Sequence, residues 1–239
     1  MRQASILGVR VDCVDMAAAI TEIERLVDTG GPHLVVTVNP EFVMRAQKDR
    51  EFARVLQSAD LCLPDGNGVV WAARRQGCDV REVVAGVDIV QPLAAMCARR
   101  GLRLFLLGAA PGVAVELASR LRAANEGLEV SSHPGGPEPA HDVETLHRIH
   151  DHHADVLLVA FGAPAQEMWI DRLKNRLGVA VAIGVGGAFD YLTGRVPRAP
   201  RLMRRARLEW LARLIRQPWR IRRMAVLPVF AFKVLRSRS

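Results

Sequence analysis

A carboxylate at the end of a short apolar run is the residue of this sequence best suited to chemistry. The segment Leu61–Gly68 places Asp65 between Pro64, which fixes φ, and Gly66, which permits almost any φ. An apolar helical pattern follows at once, so the segment predicts a strand, a tight turn and a helix. A carboxylate there could take the proton of an attacking hydroxyl group, or it could simply cap the helix. The local sequence alone favours the cap.

Polar side chains or glycines follow four other predicted strands in the same way. The segments are Thr37–Asn39, Gly108–Gly112, Gly162–Glu167 and Gly184–Asp190. In an open parallel sheet the carboxyl ends of the strands form one edge, where such sheets bind ligands. Segment 108–112 could hold a phosphate at a helix N-terminus, but it lacks the GxGxxG and P-loop patterns, and a plain strand-to-helix turn explains it as well. Segment 184–190 fits a nucleotide turn or close backbone packing equally.

The elements that must position these residues alternate between apolar runs and helical patterns. Strands are predicted at 5–14 (or a hairpin), 34–39, 61–64, 102–107, 128–132, 155–161 and 179–185, and helices at 16–29, 40–57, 69–76, 88–100, 113–124, 141–153 and 164–177. This alternation predicts an α/β fold with a Rossmann-like, mostly parallel sheet flanked by helices. We expect this body to span residues 1–195 and a basic helical appendage to span residues 196–239.

Charge is distributed very unevenly along the 239 residues. From Arg195 to the end there are fourteen Lys and Arg against one acidic residue, whereas residues 1–194 hold nineteen basic and twenty-four acidic residues. A basic tail indicates an anionic partner, which could be nucleic acid, anionic lipid at a membrane surface or a phosphorylated substrate. The aromatic residues of the tail fall within apolar helical stripes rather than among exposed arginines, which favours the membrane surface over nucleic acid. These aromatic residues are Trp210, Trp219, Phe230 and Phe232.

Cysteine and hydropathy patterns suit a protein of the reducing cytosol. The four cysteines, Cys13, Cys62, Cys78 and Cys97, are scattered without CxxC spacing, so neither a disulfide framework nor a zinc site is expected. The N-terminal residues lack the apolar core of a signal peptide, and no run reaches the ~18 apolar residues of a membrane-spanning helix.

No metal site is expected either. The histidines at 147, 150, 152 and 153 fall at a very polar helix end, where a solvated face is the favoured interpretation over a metal site. The sequence contains no DxD motif, so no carboxylate pair for a Mg²⁺–diphosphate complex is evident.

Six ordered motifs are similar to those of the WecG/TagA/CpsF family of bacterial glycosyltransferases. They are Thr37-x-Asn39-Pro40-Glu41, Pro64-Asp65-Gly66-x-Gly68, Phe161-Gly162-x-Pro164-x-Gln166-Glu167, Gly184-Val185-Gly186-x-x-Phe189-Asp190, Arg198-Ala199-Pro200, and Leu208-Glu209-Trp210-Leu211-x-Arg213-Leu214 followed by Pro218-x-Arg220. The similarity extends from about Ile6 to Arg223.

The resemblance implies an inverting, metal-independent transfer, without a cofactor, from a UDP-sugar to a polyprenyl-diphosphate-linked saccharide. The sugar would be of the N-acetylmannosamine type or a related hexose, and the process would be the synthesis of a cell-surface polysaccharide or teichoic acid. It implies a peripheral protein on the cytoplasmic face of the membrane, and a homo-oligomer is plausible. Asp65 would be the general base. The expected substrate-binding residues are Thr37, Asn39, Gly108, Gly162, Gln166, Glu167, Gly186 and Asp190, and the expected acceptor-diphosphate residues are Arg198, Arg213, Arg220 and Arg223.

The sequence departs from the family at one position and leaves two other functions open. Family members commonly carry an arginine three residues before the glycine that matches Gly86; here that residue is Val83, and the nearest arginine is Arg81. A dinucleotide-dependent oxidoreductase is the first alternative, against which the absence of GxGxxG argues. A nucleic-acid-binding protein that uses the basic tail is the second.

Overall fold

The computed structural model describes residues 1–197 and 226–237. The strands are β1 Gln3–Ile6, β2 Val9–Asp12, β3 His33–Val38, β4 Leu61–Pro64, β5 Leu104–Gly108, β6 Val130–His133, β7 Val156–Ala160 and β8 Val181–Gly184. The helices are α1 Met16–Asp28, α2 Pro40–Ala46, α3 Arg50–Ser58, α4 Asn67–Arg75, α5 Gly86–Arg100, α6 Val113–Ala124, α7 Asp142–Asp151, α8 Ala165–Leu173, α9 Ala188–Leu192 and α10 Val226–Arg236. Short 3-10 turns lie at Pro139–His141 and Lys174–Arg176.

Six of the strands form one parallel sheet in the order β4-β3-β8-β7-β5-β6, and β1 and β2 form a separate antiparallel hairpin. The predicted α/β fold with a parallel, helix-flanked sheet is therefore confirmed. Of the strand or hairpin predicted at 5–14, the structure has the hairpin, at 3–12. When the six strands of the parallel sheet are renumbered 1 to 6 in chain order, their order across the sheet is 2-1-6-5-3-4. It differs from the 3-2-1-4-5-6 order of the dinucleotide-binding fold.

The sheet is buried on both faces because its strands are apolar at nearly every position. Alternate side chains of β3 enter different cores: Leu34, Val36 and Val38 pack with α2, α3, α8 and α10, whereas Val35 packs with α1, α5, α6 and α9. Helices thus cover the sheet in two layers. The turns that leave the strands remain at its carboxyl edge, which is where the candidate residues were predicted to meet.

The hairpin protects the edge strand β4. The carboxylate of Asp12 is buried at the end of β2 and accepts a hydrogen bond of 2.7 Å from the backbone N–H of Cys62. Burial raises the pKa of Asp12, and the Arg10 guanidinium 3.5 Å away opposes that rise. Because an edge strand otherwise exposes its N–H groups, this contact anchors the strand that leads to Asp65.

One predicted helix is two helices in the structure. The pattern predicts a continuous helix over 40–57, but the chain breaks between α2 and α3. Asp49 stands at the break with extended backbone, and its Oδ1 accepts a hydrogen bond from Phe52 N at 3.0 Å. An aspartate in this position is a preferred N-cap, so it starts a new helix instead of continuing the previous one.

The predicted absence of disulfides is wrong at one pair. Cys13 follows β2 and Cys78 follows α4, and they form a disulfide with Cα atoms 5.7 Å apart. The pairing arises because the hairpin packs against α4, which brings together residues 65 positions apart in sequence. The spacing of the cysteines along the sequence does not indicate such a contact.

We expect thiol titration to reveal this pair. Protein purified without reductant and then denatured should show two reactive thiols, those of Cys62 and Cys97, and reduction should raise the number to four. Before denaturation these two thiols should react slowly, because burial raises their pKa to about 11 and about 12. The variant Cys13→Ser is the control and should show the same thiol count with and without reductant. Four thiols before reduction would contradict the pairing.

The last described helix is attached to the body. In α10, Phe230 and Val234 are buried in the core shared with α2 and α4, and the Phe230 ring passes over Gly68 in the first turn of α4. The opposite side of α10 exposes Val229, Phe232 and Leu235. The predicted boundary near residue 195 stays a prediction, but this helix packs directly beside the segment that carries Asp65.

Candidate active site

The two strands at the centre of the candidate site send the chain to opposite faces of the sheet. After β3 the chain enters α2, whose Phe42 and Val43 pack in one core, and after β8 it enters α9, whose Phe189 packs in the other. Since β3 and β8 are neighbours, the backbone diverges between their carboxyl ends. Such a switch point forms a crevice in open α/β sheets, and ligands bind there.

Asp65 lies next to this crevice, at the end of β4. Its backbone N–H donates to the carbonyl of Val38 at 2.8 Å, which fastens the turn to the end of β3. The N-cap position of α4 belongs to Gly66, with φ of 98°, so Asp65 does not occupy the capping position. The residue is half-buried. The loop before α5 also reaches this point, because Val84 N donates to Pro64 O at 2.9 Å.

Thr37 and Asn39 lie on the β3 side of the same crevice. The Thr37 hydroxyl is buried and donates to the carbonyl of Gly184 at 3.3 Å, a bond between β3 and β8. Asn39 is the N-cap of α2, and its Oδ1 accepts from Phe42 N at 3.0 Å. Both residues therefore have structural hydrogen bonds within the site.

Gln166 and Glu167 lie beneath the crevice rather than on its surface. Both belong to the first turn of α8, and their exposed fractions are 2% and 0%. The Oε1 of Gln166 accepts hydrogen bonds from the backbone N–H groups of Gly162, at 3.1 Å, and Gly186, at 2.9 Å. This amide links the turn after β7 to the turn after β8, which sequence reasoning did not foresee.

Of the two alternatives for segment 184–190, close backbone packing applies at Gly184, and the nucleotide turn stays a prediction. A Cβ atom on Gly184 would lie 2.6 Å from both Gln166 Nε2 and Glu167 Oε1, so close packing requires glycine there. Gly186 has a φ of 56°, as a turn residue does, and a Cβ atom there would meet no other atom within 4 Å. Asp190 follows on α9, where it is half-buried.

The turn after β5 is the candidate segment farthest from β4 along the carboxyl edge of the sheet. Gly108 has φ of 99°, and Gly112 is the N-cap of α6, where no side chain caps the first turn. Arg195 donates from Nη2 to the carbonyl of Pro111 at 3.4 Å, so its guanidinium lies beside this turn. Sequence reasoning missed Arg195 as a site residue because only the chain's return from α9 brings it there.

The remaining predicted arginines divide into two groups. Arg198, Arg213, Arg220 and Arg223 lie outside the described residues. Arg81 is on the surface with 75% of its side chain exposed, 3.5 Å from Asp79, while Val83 packs against the core. The loop that carries them reaches Pro64, but the Arg81 side chain is directed to solvent.

The candidate segments within the described residues lie in a row along the carboxyl edge of the sheet, in the order of the strands that they follow. At about 4.8 Å per strand, the distance from β4 to β7 is about 14 Å and from β4 to β5 about 19 Å. The carboxylate at one end suits an acceptor hydroxyl, and the glycine-rich turn with a helix N-terminus at the other end suits an anionic group of a substrate that extends along the row.

Residues 1–197 and 226–237 contain neither a metal-type side-chain cluster nor a helix that could span a membrane. No three His, Cys, Asp or Glu side chains there are grouped so that they could hold a metal ion. None of the helices in these ranges is long and apolar enough to cross a membrane.

Comparison with known proteins gives one family match and two similar relatives, and the three agree. Residues 4–239 match the model of the glycosyl transferase WecG/TagA/CpsF family. The chain is 35% identical over 204 residues to an N-acetylglucosaminyldiphosphoundecaprenol N-acetyl-beta-D-mannosaminyltransferase of Bacillus subtilis strain 168, covering 85% of this chain and 79% of the relative. It is also 35% identical over 202 residues to the enzyme of the same name from Bacillus spizizenii, covering 84% and 78%.

Proposed function

Because this chain belongs to the WecG/TagA/CpsF family of glycosyltransferases, we propose that it transfers N-acetylmannosamine from a UDP-sugar to GlcNAc-diphosphoundecaprenol, the acceptor that its relatives' names contain. The observation that carries this proposal is that Asp65, Thr37 and the end of β8 meet at one switch point of the sheet. Family membership decides against the oxidoreductase and the nucleic-acid-binding alternatives.

In the proposed reaction Asp65 is the general base. The acceptor hydroxyl oxygen attacks the anomeric carbon of the donor sugar, its proton passes to the Asp65 carboxylate, and the bond from that carbon to the UDP oxygen breaks. Attack opposite the leaving group inverts the anomeric configuration. General-base assistance of this kind contributes typically 10²–10⁴-fold in rate.

The leaving UDP gains negative charge as its bond to the sugar breaks. The N-terminus of α6 and the guanidinium of Arg195 lie beside the turn at Gly108–Gly112. The helix N-terminus carries partial positive charge, and the guanidinium carries a full one. The leaving oxygen must lie within a few ångström of the attacked carbon and therefore nearer to Asp65 than this turn does, so we propose that the turn attracts the UDP group by its positive charge and does not hold the leaving oxygen. The tail arginines at 198, 213, 220 and 223, which lie outside the described residues, are proposed to bind the acceptor diphosphate, and the transfer is proposed to be metal-independent.

A lipid-linked acceptor requires contact with the bilayer. The exposed Val229, Phe232 and Leu235 of α10 recur at helical spacing, with Lys233 and Arg236 on the same helix. An apolar helix face with adjacent cations is typical of a helix that lies in the membrane surface, and each cation near an anionic surface contributes about 1 kcal/mol. We propose a peripheral position on the cytoplasmic face of the cell membrane.

A donor screen tests the proposed activity. We expect UDP-N-acetylmannosamine to convert a GlcNAc-diphosphate-polyprenol acceptor to a product larger by one N-acetylhexosamine, as read by mass spectrometry. Added EDTA should leave the rate unchanged. UDP-GlcNAc and UDP-glucose serve as competing donors, and acceptor-free reactions control for donor hydrolysis. Transfer from one of these other donors in preference to UDP-N-acetylmannosamine would contradict the proposed donor.

A further inference from the structure

A buried carboxyl group that the mechanism above does not use lies beneath the candidate site. Oε1 of Glu167 accepts a hydrogen bond of 2.7 Å from Nε2 of its neighbour Gln166. The oxygen of the same Gln166 amide accepts from Gly162 and Gly186, each of which is the second residue after the end of its strand. Three hydrogen bonds therefore meet at one side-chain amide.

The orientation of that amide decides whether all three bonds exist. Gln166 can accept two backbone N–H groups only through its oxygen, and its NH₂ group then faces Glu167. The reversed amide would direct NH₂ at two N–H donors and oxygen at a carboxyl oxygen. Glu167 is thus the acceptor that pairs the NH₂ group in the observed orientation, and a side chain at 167 without an acceptor would leave that buried NH₂ group unpaired.

The carboxyl is poorly suited to a purely space-filling role. Glu167 is 0% exposed, its Oε2 has no hydrogen-bond partner, and no cationic side chain in the described ranges forms an ion pair with it. Burial raises its pKa to about 7. A methionine of similar size would fill the space without the free-energy cost of burying a carboxyl group. What the carboxyl adds is its hydrogen bond to Gln166.

The backbone of β8 is shaped around the same pair. Gly184 lies so close to Gln166 Nε2 and Glu167 Oε1 that a Cβ atom would overlap both, and its carbonyl oxygen accepts the Thr37 hydroxyl. The pair therefore occupies a fitted space between α8 and β8, in hydrogen-bonded continuity with the β3 side of the crevice.

We propose that Glu167 is a positioning residue, which holds the amide of Gln166 in the one orientation that ties the ends of β7 and β8 together. Its effect on transfer rests on the proposed function, because the two joined turns border the proposed donor site. The substrate-binding role predicted for Glu167 is thereby replaced by a role one layer below the substrate.

The test compares two substitutions at 167. Glu167→Gln keeps an oxygen that can accept from Gln166, whereas Glu167→Met fills the space without one. We expect Glu167→Met to lower kcat/KM about 10-fold to 100-fold, because misplaced site elements cost rates of this size, and Glu167→Gln to stay within about threefold of wild type. The double variant Gln166→Met/Glu167→Met should be no slower than Gln166→Met alone, since Glu167 acts through Gln166.

A second readout does not depend on turnover. In ¹⁵N-glycine-labelled protein, Glu167→Met should speed amide hydrogen exchange at Gly162 and Gly186 by about tenfold or more, and Glu167→Gln should not. Gly101, whose N–H bonds to Ala98 O at the end of α5, is the internal control. If the wild type lacks the proposed transferase activity, the proposed function fails, while glycine exchange still decides the role of Glu167.

Three results would overturn the proposal. They are unchanged glycine exchange in Glu167→Met, equal losses in Glu167→Met and Glu167→Gln, and a double variant whose loss is the product of the two single losses. If Glu167→Met does not fold, Glu167→Asp replaces it, because the shorter carboxyl cannot reach Gln166 and should show the same exchange increase.

Discussion

Asp65→Asn should lower the rate of sugar transfer by about 10²–10⁴-fold while leaving the protein folded. An asparagine amide has nearly the same shape as the carboxylate but cannot take the proton of the acceptor hydroxyl. Folding should be preserved because Gly66, not Asp65, caps α4, and because the bond from residue 65 to Val38 uses the backbone N–H. The rate should fall mainly in kcat, since the substrate contacts remain.

The measurement pairs single-turnover transfer assays with a melting curve and UDP titration. Asp79→Asn is the matched control, because that carboxylate is 82% exposed on the loop that leads towards the site and has no place in the proposed mechanism. We expect wild-type transfer from Asp79→Asn. A wild-type rate in Asp65→Asn would remove Asp65 as the base, and a lost melting transition would show a structural role instead.

Phe230→Ala should lower the free energy of unfolding by about 3–5 kcal/mol, the usual cost of removing a buried phenylalanine ring. The ring is 1% exposed and lies over Gly68 in the first turn of α4, where it attaches α10 to the body. Because that turn directly follows Asp65 and Gly66, transfer should also slow. Urea unfolding measures the stability, and amide exchange in α10 detects detachment of the helix alone.

Phe232→Ala is the matched control, two positions along the same helix. Its ring is 58% exposed, with the Arg236 guanidinium 5.7 Å from the ring centroid, so the substitution should change stability by no more than about 0.5 kcal/mol. It should instead weaken co-sedimentation with anionic vesicles. Equal unfolding curves for wild type and Phe230→Ala would show that α10 does not contribute to the core. Undiminished vesicle binding by Phe232→Ala would argue against the membrane face.

These point variants are better tests than removal of residues 196–239. Deletion of the tail would strip Phe230 and Val234 from the core of the body, so loss of vesicle binding could follow from partial unfolding. Single substitutions on the two sides of α10 separate attachment to the body from contact with the bilayer.

Much of the fold could be predicted from local patterns. Apolar runs such as 156–160 are long enough for a strand and too short for a helix, and their alternation with helical periods indicates a parallel sheet. Helix boundaries were less predictable. The break before α3 depends on Asp49 forming a cap, which competes with the apolar periodicity that continues across it.

Residue types and order in the sequence determined which strand ends carry polar groups, and they identified Asp65 as the carboxylate beside a turn. They also revealed the change from an acidic body to a basic tail, because charge is a property of composition. Only the tertiary structure decided that β3 and β8 are neighbours, that Cys13 meets Cys78, and that Gln166 and Glu167 are buried. Each of these facts depends on contacts between residues far apart in sequence, which local propensity does not encode. The segment Pro64–Gly66, whose residue types best suit chemistry, is thus surrounded by segments that lie about 20 to 160 residues away along the chain.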